Sequence, residues 1–509
     1  MSEEKFPAGV CGLNDSLYPL NRREFLQNVG SGIVIFFTVG GAAAQAGRSN
    51  QKERPDFNAY LLIGQDGKVK CFTGKVELGQ GAMTSLAQTC ADELDVPIES
   101  VEMVMGDTAL CPFDAGTWGS MTTPYFGPVL RAAAAEARAV LIGLAAVRLN
   151  VPMDRLDVAD GVVFDRTQKD VKVTYAQLAE GKKIARRLEQ QVQVKNVPQL
   201  KVIGKSHNRT DAIAKVTGKA QYTGDIRVDG MVCAAVLQPP AHGARLKSLD
   251  ASEVEKMEGF QVIRDGELVA VLHKHPDEAE KALAKINAEY DVPKARFDDK
   301  TIFDYFVNHA GEGRVSRKNG DLESGHKLAR DVVEQRYLCS YVAHSPMEPH
   351  TALAKFEGEN LTVWASTQTP FGLQRQLAND MKIPIEKVRV IAPFVGGGFG
   401  GKISNGQAIH AVKLAKIAGK PVQVAWTRAD EFFYDTFRPA TAVNIKSGIT
   451  DAGKIVSWDY NIYGMGSRGA DLFYDVPHHR TTVYQSLKGN EKMHDLGTGP
   501  WRAPDNNAN

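Results

Sequence analysis

Five glycines surround Phe399 in "VGGGFGGK", residues 395–402 of the 509-residue chain. Glycine lacks a Cβ and tolerates positive φ, so such a run lets main-chain N–H groups approach an anion or a flat ligand. Two nucleotide motifs overlap it. Gly396, Gly398 and Gly401 satisfy G-x-G-x-x-G, but so glycine-dense a stretch satisfies many patterns. The nearest downstream acids, Asp430 and Glu431, also come later than the roughly 20 residues a dinucleotide fold requires. Read as a P-loop, Gly396 to Lys402 is followed by Ile403, where magnesium needs a Ser or Thr. An NTPase is thereby disfavoured, a nucleotide-dependent dehydrogenase remains a rival, and a tight turn between packed elements is the non-functional alternative.

Other residue types that could do chemistry are scattered along the chain. Gly79-Gln80-Gly81 marks a strand-to-helix turn, where helix N-terminal amides favour anions. Gln368 in "STQTP" carries an amide able to bond a ligand oxygen, or to cap the helix that starts near Phe371. Thr117 and Ser120 in "DAGTWGSMTTP" offer hydroxyls to a ligand or to surface turns. Glu348 and His350 in "MEPH" invite acid–base or metal-ligand roles, but buried structural hydrogen bonding accounts for them more simply. Arg502 in "WRAP" suits an anionic partner or a structural carboxylate.

The elements that must position these groups belong to an ordinary globular protein. With 43% hydrophobic and 24% charged residues the chain is large enough for roughly three domains, which excludes disordered and collagen-like classes. Lys and Arg number 61 against 60 Asp and Glu, so no overall field favours nucleic acid. Cys11, Cys71, Cys90, Cys111, Cys233 and Cys339 show no C-x-x-C spacing, which argues against an iron–sulfur cluster or structural zinc in this chain.

From about residue 55 the pattern reads strand, glycine turn, helix, strand. Met83, Leu86, Cys90 and Leu94 form one apolar helical stripe, and "VEMVM" alternates like a half-buried strand. "LANDMKIPIEKVRVIAPFVGGGFGGK" repeats this plan. Ala378 matches Ala91, Ile383-Pro384-Ile385-Glu386 matches Val96-Pro97-Ile98-Glu99, and Val388 matches Val101. Two copies are too few for a solenoid and suggest two related helix–strand units whose end loops face a shared site. Between them, residues 209–310 read as a separate α+β unit.

The ordered set "GKVELGQG", "DAGTWGSMTTP", "MEPHTALAKF", "WASTQTPFGLQ", "GGGFGGK" and "GPWRAP" resembles the molybdopterin-binding large subunits of the xanthine oxidase and aldehyde oxidoreductase family. The likeness is strongest to the subgroup of isoquinoline 1-oxidoreductase and nicotinate dehydrogenase large subunits. It implies a mixed α/β, α+β fold: molybdopterin-binding segments at 55–200 and 325–509, and a small hammerhead-type domain at 209–310. It also implies that Gly397, Gly398, Phe399, Gly400 and Gly401 lie against the molybdenum centre, and that Gln368 bonds its oxo ligand. Gly79, Gln80, Gly81, Thr117 and Ser120 would hold the pterin and its dinucleotide tail, in the cytosine form, and Arg502 would stand on the substrate side. No residue ligates the metal directly, because the pterin's sulfurs hold it.

The implied activity is hydroxylation of an aldehyde or N-heteroaromatic compound with water-derived oxygen. Electrons would pass to a separate small [2Fe-2S] subunit and then to a c-type cytochrome. The family's general-base glutamate sits in G-x-G-E, a motif that occurs nowhere in the 509 residues, so this chain alone is expected to be inactive. An inactive fragment or assembly module is accordingly a second reading. Finally, Arg22-Arg23 followed by Phe25-Leu26, the apolar run Ile33 to Val39 and small residues at Ala42 to Ala46 resemble a twin-arginine export signal over residues 1–46. That implies a periplasmic location, free or at the membrane.

Overall fold

A computed structural model describes residues 32–38, 58–180, 183–187, 193–470 and 472–502. The fold is mixed α and β. Its first layer is a five-stranded sheet in the order Val101–Met105, Val69–Thr73, Asn58–Gly64, Gly32–Thr38, Lys183–Arg187. Helices α1 (Ala82–Leu94) and α2 (Gly127–Leu149) pack together and close a core that includes Leu61, Ile63, Leu86, Cys90, Leu94, Leu130 and Leu141. The apolar stripe read from the sequence is thus the buried face of α1. Gly32–Thr38, part of the stretch read as an export signal, is a strand inside this sheet, paired antiparallel with Asn58–Gly64 and parallel with Lys183–Arg187. Arg22 and Arg23 lie outside the described residues.

A seven-stranded sheet forms the second layer, in the order Gln261–Asp265, Leu268–His273, Val232–Val236, Val422–Ala425, Thr351–Glu357, Asn360–Ala365, Val388–Ile391. The segment read as a separate α+β unit therefore lends three strands to a sheet it shares with residues 351–425. Val232–Val236 runs parallel to Val422–Ala425, so main-chain hydrogen bonds join the two segments. Helices α3 (Pro370–Met381) and α4 (Gly406–Ala418) cover this sheet through Leu373, Leu377, Ala411, Val412 and Leu414. A third, five-stranded sheet ends on the exposed strand Asp331–Cys339.

The two copies seen in the sequence have the same local structure. α1 ends at Asp95 (φ 53°) and α3 at Lys382 (φ 55°), both in the left-handed region. A proline, Pro97 or Pro384, then opens a 3₁₀ turn at Ile98–Ser100 or Ile385–Lys387. Each turn feeds a strand that lies parallel to the strand preceding the helix. The copies meet end to end. Arg389 pairs with Asp107 at 3.0 and 2.6 Å, Thr108 N–H donates to Val390 O at 2.9 Å, and Ala392 N–H donates to Gly106 O at 2.9 Å. This seam brings the loops after both copies to one place.

Candidate functional site

The glycine loop has a free front and a braced back. The N–H groups of Gly397, Gly398 and Phe399 make no hydrogen bond among the described residues, whereas Gly396, Gly400 and Gly401 donate to Glu348 Oε2 (2.7 Å), Gln368 Oε1 (3.0 Å) and Gly398 O (2.9 Å). Positive φ recurs at Gly397 (92°), Phe399 (56°) and Gly400 (114°), the kind of backbone in which successive N–H groups can form an anion- or oxygen-binding concavity. The chain has to be bare here. A Cβ on Gly398 would stand 2.5 Å from Gln368 Oε1, and one on Gly400 would stand 2.0 Å from Pro500 O. Free donors in a glycine cradle fit an oxygen-rich, flat, anionic group such as molybdopterin.

Three buried pairs, each of a basic side chain with a carboxylate, brace the back. Lys402, fully buried, bonds Glu348 Oε2 at 2.8 Å, so one carboxylate ties both ends of the loop, Gly396 and Lys402. Burial holds the Lys402 ammonium below its ordinary pKa, against the opposing pull of Glu348. His350 Nδ1 lies 3.0 Å from Glu431 Oε1, with Nε2 3.3 Å from Gly401 O. His344 Nδ1 lies 2.7 Å from Asp435 Oδ2, with Nε2 2.9 Å from Pro500 O. The donor atoms of His350, Glu431 and Asp435 fall within 4.8 Å of one another, but each is already held in these pairs, and a cation would have to break two of them. Structural hydrogen bonding thus describes Glu348 and His350. Glu431 serves His350, Asp430 completes the capping box of Thr427 at the helix Arg428–Tyr434, and the glycine loop runs into a 3₁₀ turn before α4 begins. That leaves the dinucleotide reading without its ribose acid and without a helix opening directly at the loop.

The other residues singled out from the sequence divide clearly. Gln368 is buried and central: its Oε1 holds Gly400 N–H, its Nε2 donates to Thr117 O at 2.7 Å, and Thr117 N–H donates to its carbonyl at 2.9 Å. It does not cap α3 by a side-chain bond. Thr117 is buried, and its Oγ1 accepts from Val76 N–H at 2.9 Å, so the hydroxyl locks the 74–81 stretch to the site. Ser120 lies exposed, with φ 57°, at the tip of that loop.

At the Gly79–Gly81 turn the amides are already engaged. Glu77, itself 3% exposed, accepts from Gly79 and Gly81 through Oε1 (2.9 and 3.0 Å) and from Met83 through Oε2 (2.8 Å). The N-terminus of α1 is therefore neutralised by the chain's own carboxylate. Gln80 is exposed and folds back on its own turn, donating to Val76 O at 3.0 Å. Arg502 is exposed, on a segment that Pro500 docks against Gly400.

Sequence reasoning missed Lys75, Glu77, Asp114, Arg209, His344 and Asp435. Lys75 is wholly buried and donates to Asp114 Oδ1 at 3.0 Å and Gly116 O at 2.9 Å, fixing the loop that carries Thr117. Arg209 reaches across to Glu77 and to Gly79 O. The available signal was a pair of charges, Lys75 and Glu77, flanking Val76 in an otherwise apolar strand end, because such charges stay there only with partners.

Two family models described as molybdopterin cofactor-binding domains match residues 18–234 and 305–485. A nicotinate dehydrogenase subunit of Pseudomonas putida is 28% identical over 87% of this chain and 40% of its own length. The beta subunit of isoquinoline 1-oxidoreductase from Brevundimonas diminuta is 28% identical over 85% of this chain and 62% of its own length. The chain thus spans about half the length of these relatives. The crystal structure of quinoline 2-oxidoreductase from Pseudomonas putida 86 shares the fold, with a TM-score of 0.50 at 20% identity over 59% of this chain and 45% of that one. With two cofactor-domain matches that together take in most of the chain, the second of them containing the bare amide cradle, the chain belongs to the molybdopterin-binding subunits of the xanthine oxidase and aldehyde oxidoreductase family.

Proposed function

We propose that this chain is the cofactor-holding portion of an oxidoreductase that hydroxylates an aldehyde or N-heteroaromatic substrate with oxygen from water, passing electrons to a separate [2Fe-2S] subunit. The observation that carries the reading is the set of three free amides at Gly397, Gly398 and Phe399, braced from behind and bordered by Gln368. When bound, molybdenum–molybdopterin supplies a two-electron redox centre, and the cytosine dinucleotide form is the one proposed. Gly397 to Phe399 would donate to its oxygen atoms, and Gln368 has one amide hydrogen left for the same purpose. Because every one of these groups is neutral and fixed, none competes as a ligand and none reorganises during reaction.

Thr117, through Val76, aligns the 74–81 turn, and exposed Gln80 and Ser120 would face the outlying part of the cofactor. Arg502 would face the substrate. No residue of this sequence is assigned as the general base, since the G-x-G-E form does not occur in it. A c-type cytochrome as acceptor and twin-arginine export to the periplasm belong to the same proposal, the latter supported by Arg22-Arg23 before Phe25-Leu26.

Elemental analysis of the native complex, purified with its partner subunits, provides the test. About one molybdenum per chain is expected. A correctly matured preparation that binds its partners yet contains no molybdenum would overturn the reading and leave the assembly-module alternative.

A further inference from the structure

His344 sits where the two best-connected site segments touch. Its side chain is fully buried, Nδ1 faces the Asp435 carboxylate at 2.7 Å, and Nε2 faces the Pro500 carbonyl at 2.9 Å. Both partners only accept hydrogen bonds. A neutral imidazole has one N–H and would leave one of these buried contacts without a proton between two lone pairs, whereas an imidazolium serves both. The same place is sterically closed: Pro500 O occupies the space a Cβ of Gly400 would take, and the Asp435–His344 pair lies directly behind Gly401.

The geometry points to His344 as a cationic positioning residue, an imidazolium that docks the Gly497–Arg502 segment onto the glycine loop. Two further links share the seat. Gly499 N–H donates to Phe437 O at 2.9 Å, Phe437 N–H returns the bond to Gly497 O at 2.9 Å, and Trp501 Nε1 donates to Ala343 O at 3.3 Å. Ala343-His344 and Asp435 to Phe437 thus form one cradle, with a proton at its centre. The titratable groups facing it are Asp435 and, beyond, Glu431, with Lys402, Glu348 and His350 completing the buried cluster. Burial opposes the charge on His344, but the bond to Asp435 outweighs it and holds the pKa above its ordinary value. Docking is then complete below about pH 6.5 and is lost as the pH rises through the raised folded-state value.

That this docking serves a cofactor site rests on the proposed molybdopterin role, while the protonation state does not, so the two fail separately. Hydrogen exchange read by mass spectrometry on the full chain, with its partners if it has them, follows the peptide containing Gly499. Exchange is corrected for its intrinsic pH dependence. The wild type should protect this amide at pH 6 and lose protection at alkaline pH, while His344→Gln and Asp435→Asn should exchange at least roughly ten-fold faster at pH 6, with a flattened pH profile. Protection of the hairpin Leu156–Asp165, in a separate three-stranded sheet, should stay unchanged. Equal protection in wild type and variants overturns the proposal. If both variants fail to fold, the wild-type profile alone decides: protection independent of pH between 6 and 10 overturns it, and a single titration supports it.

Discussion

Lys402 shows what a single charge costs and supplies in this site. Fully buried, it would be untenable without Glu348, and Glu348 in turn holds Gly396 N–H. Removing one member of such a pair leaves an uncompensated buried charge, roughly 3–5 kcal/mol, whereas replacing both with well-packed apolar groups is often close to neutral. Lys402→Met should therefore destabilise the chain by about that amount in urea titration, and adding Glu348→Leu should recover a large part. Recovery of stability without recovery of molybdenum content would show that the pair shapes the loop rather than merely holding the fold. Additive losses in the double variant would sink the clasp.

At the scale of elements, the seam between the two helix–strand copies does the positioning. Arg389, within the strand Val388–Ile391 of the second copy, pairs with Asp107, which follows the matching strand Val101–Met105 of the first. Arg389 is close to half exposed, so solvent screens the pair. Arg389→Ala should cost about 1 kcal/mol, the upper end for a solvent-screened ion pair. Its effect on molybdenum content should exceed that of an equally destabilising change in the hairpin Gln261–His273, because the seam, together with Gln368, sets the distance between Thr117 and the glycine loop. Equal effects from the two sites would show that general stability, not the seam, governs cofactor content.

For the molecule as a whole, the N-terminal strand bears on export. Gly32–Thr38 lies between two other strands, and the first family match begins at residue 18. Cleavage near Ala42 to Ala46 would remove a central strand with its ladders on both sides. On the proposed export, mass determination of the exported chain should then show residues 32–38 retained. A mature chain starting after Ala46 with an unaltered thermal transition would contradict the strand's contribution to stability.

The repeated copies were legible in the sequence because helix, left-handed stop, proline and strand are local events, governed by neighbouring residues. So was the glycine loop, since five glycines in eight residues have few uses other than close approach. The residues 209–310 were not legible as part of a larger sheet, because parallel pairing of Val232–Val236 with Val422–Ala425 joins positions nearly two hundred residues apart and leaves no local mark. Gln368 could be named from its motif, but that its two polar atoms would be spent on Gly400 and Thr117 depended on three loops meeting. Glu77 at the Gly79–Gly81 turn and the His344–Asp435 pair were likewise decided by tertiary structure: a charge in an apolar stretch announces that it has a partner, while only packing determines which one.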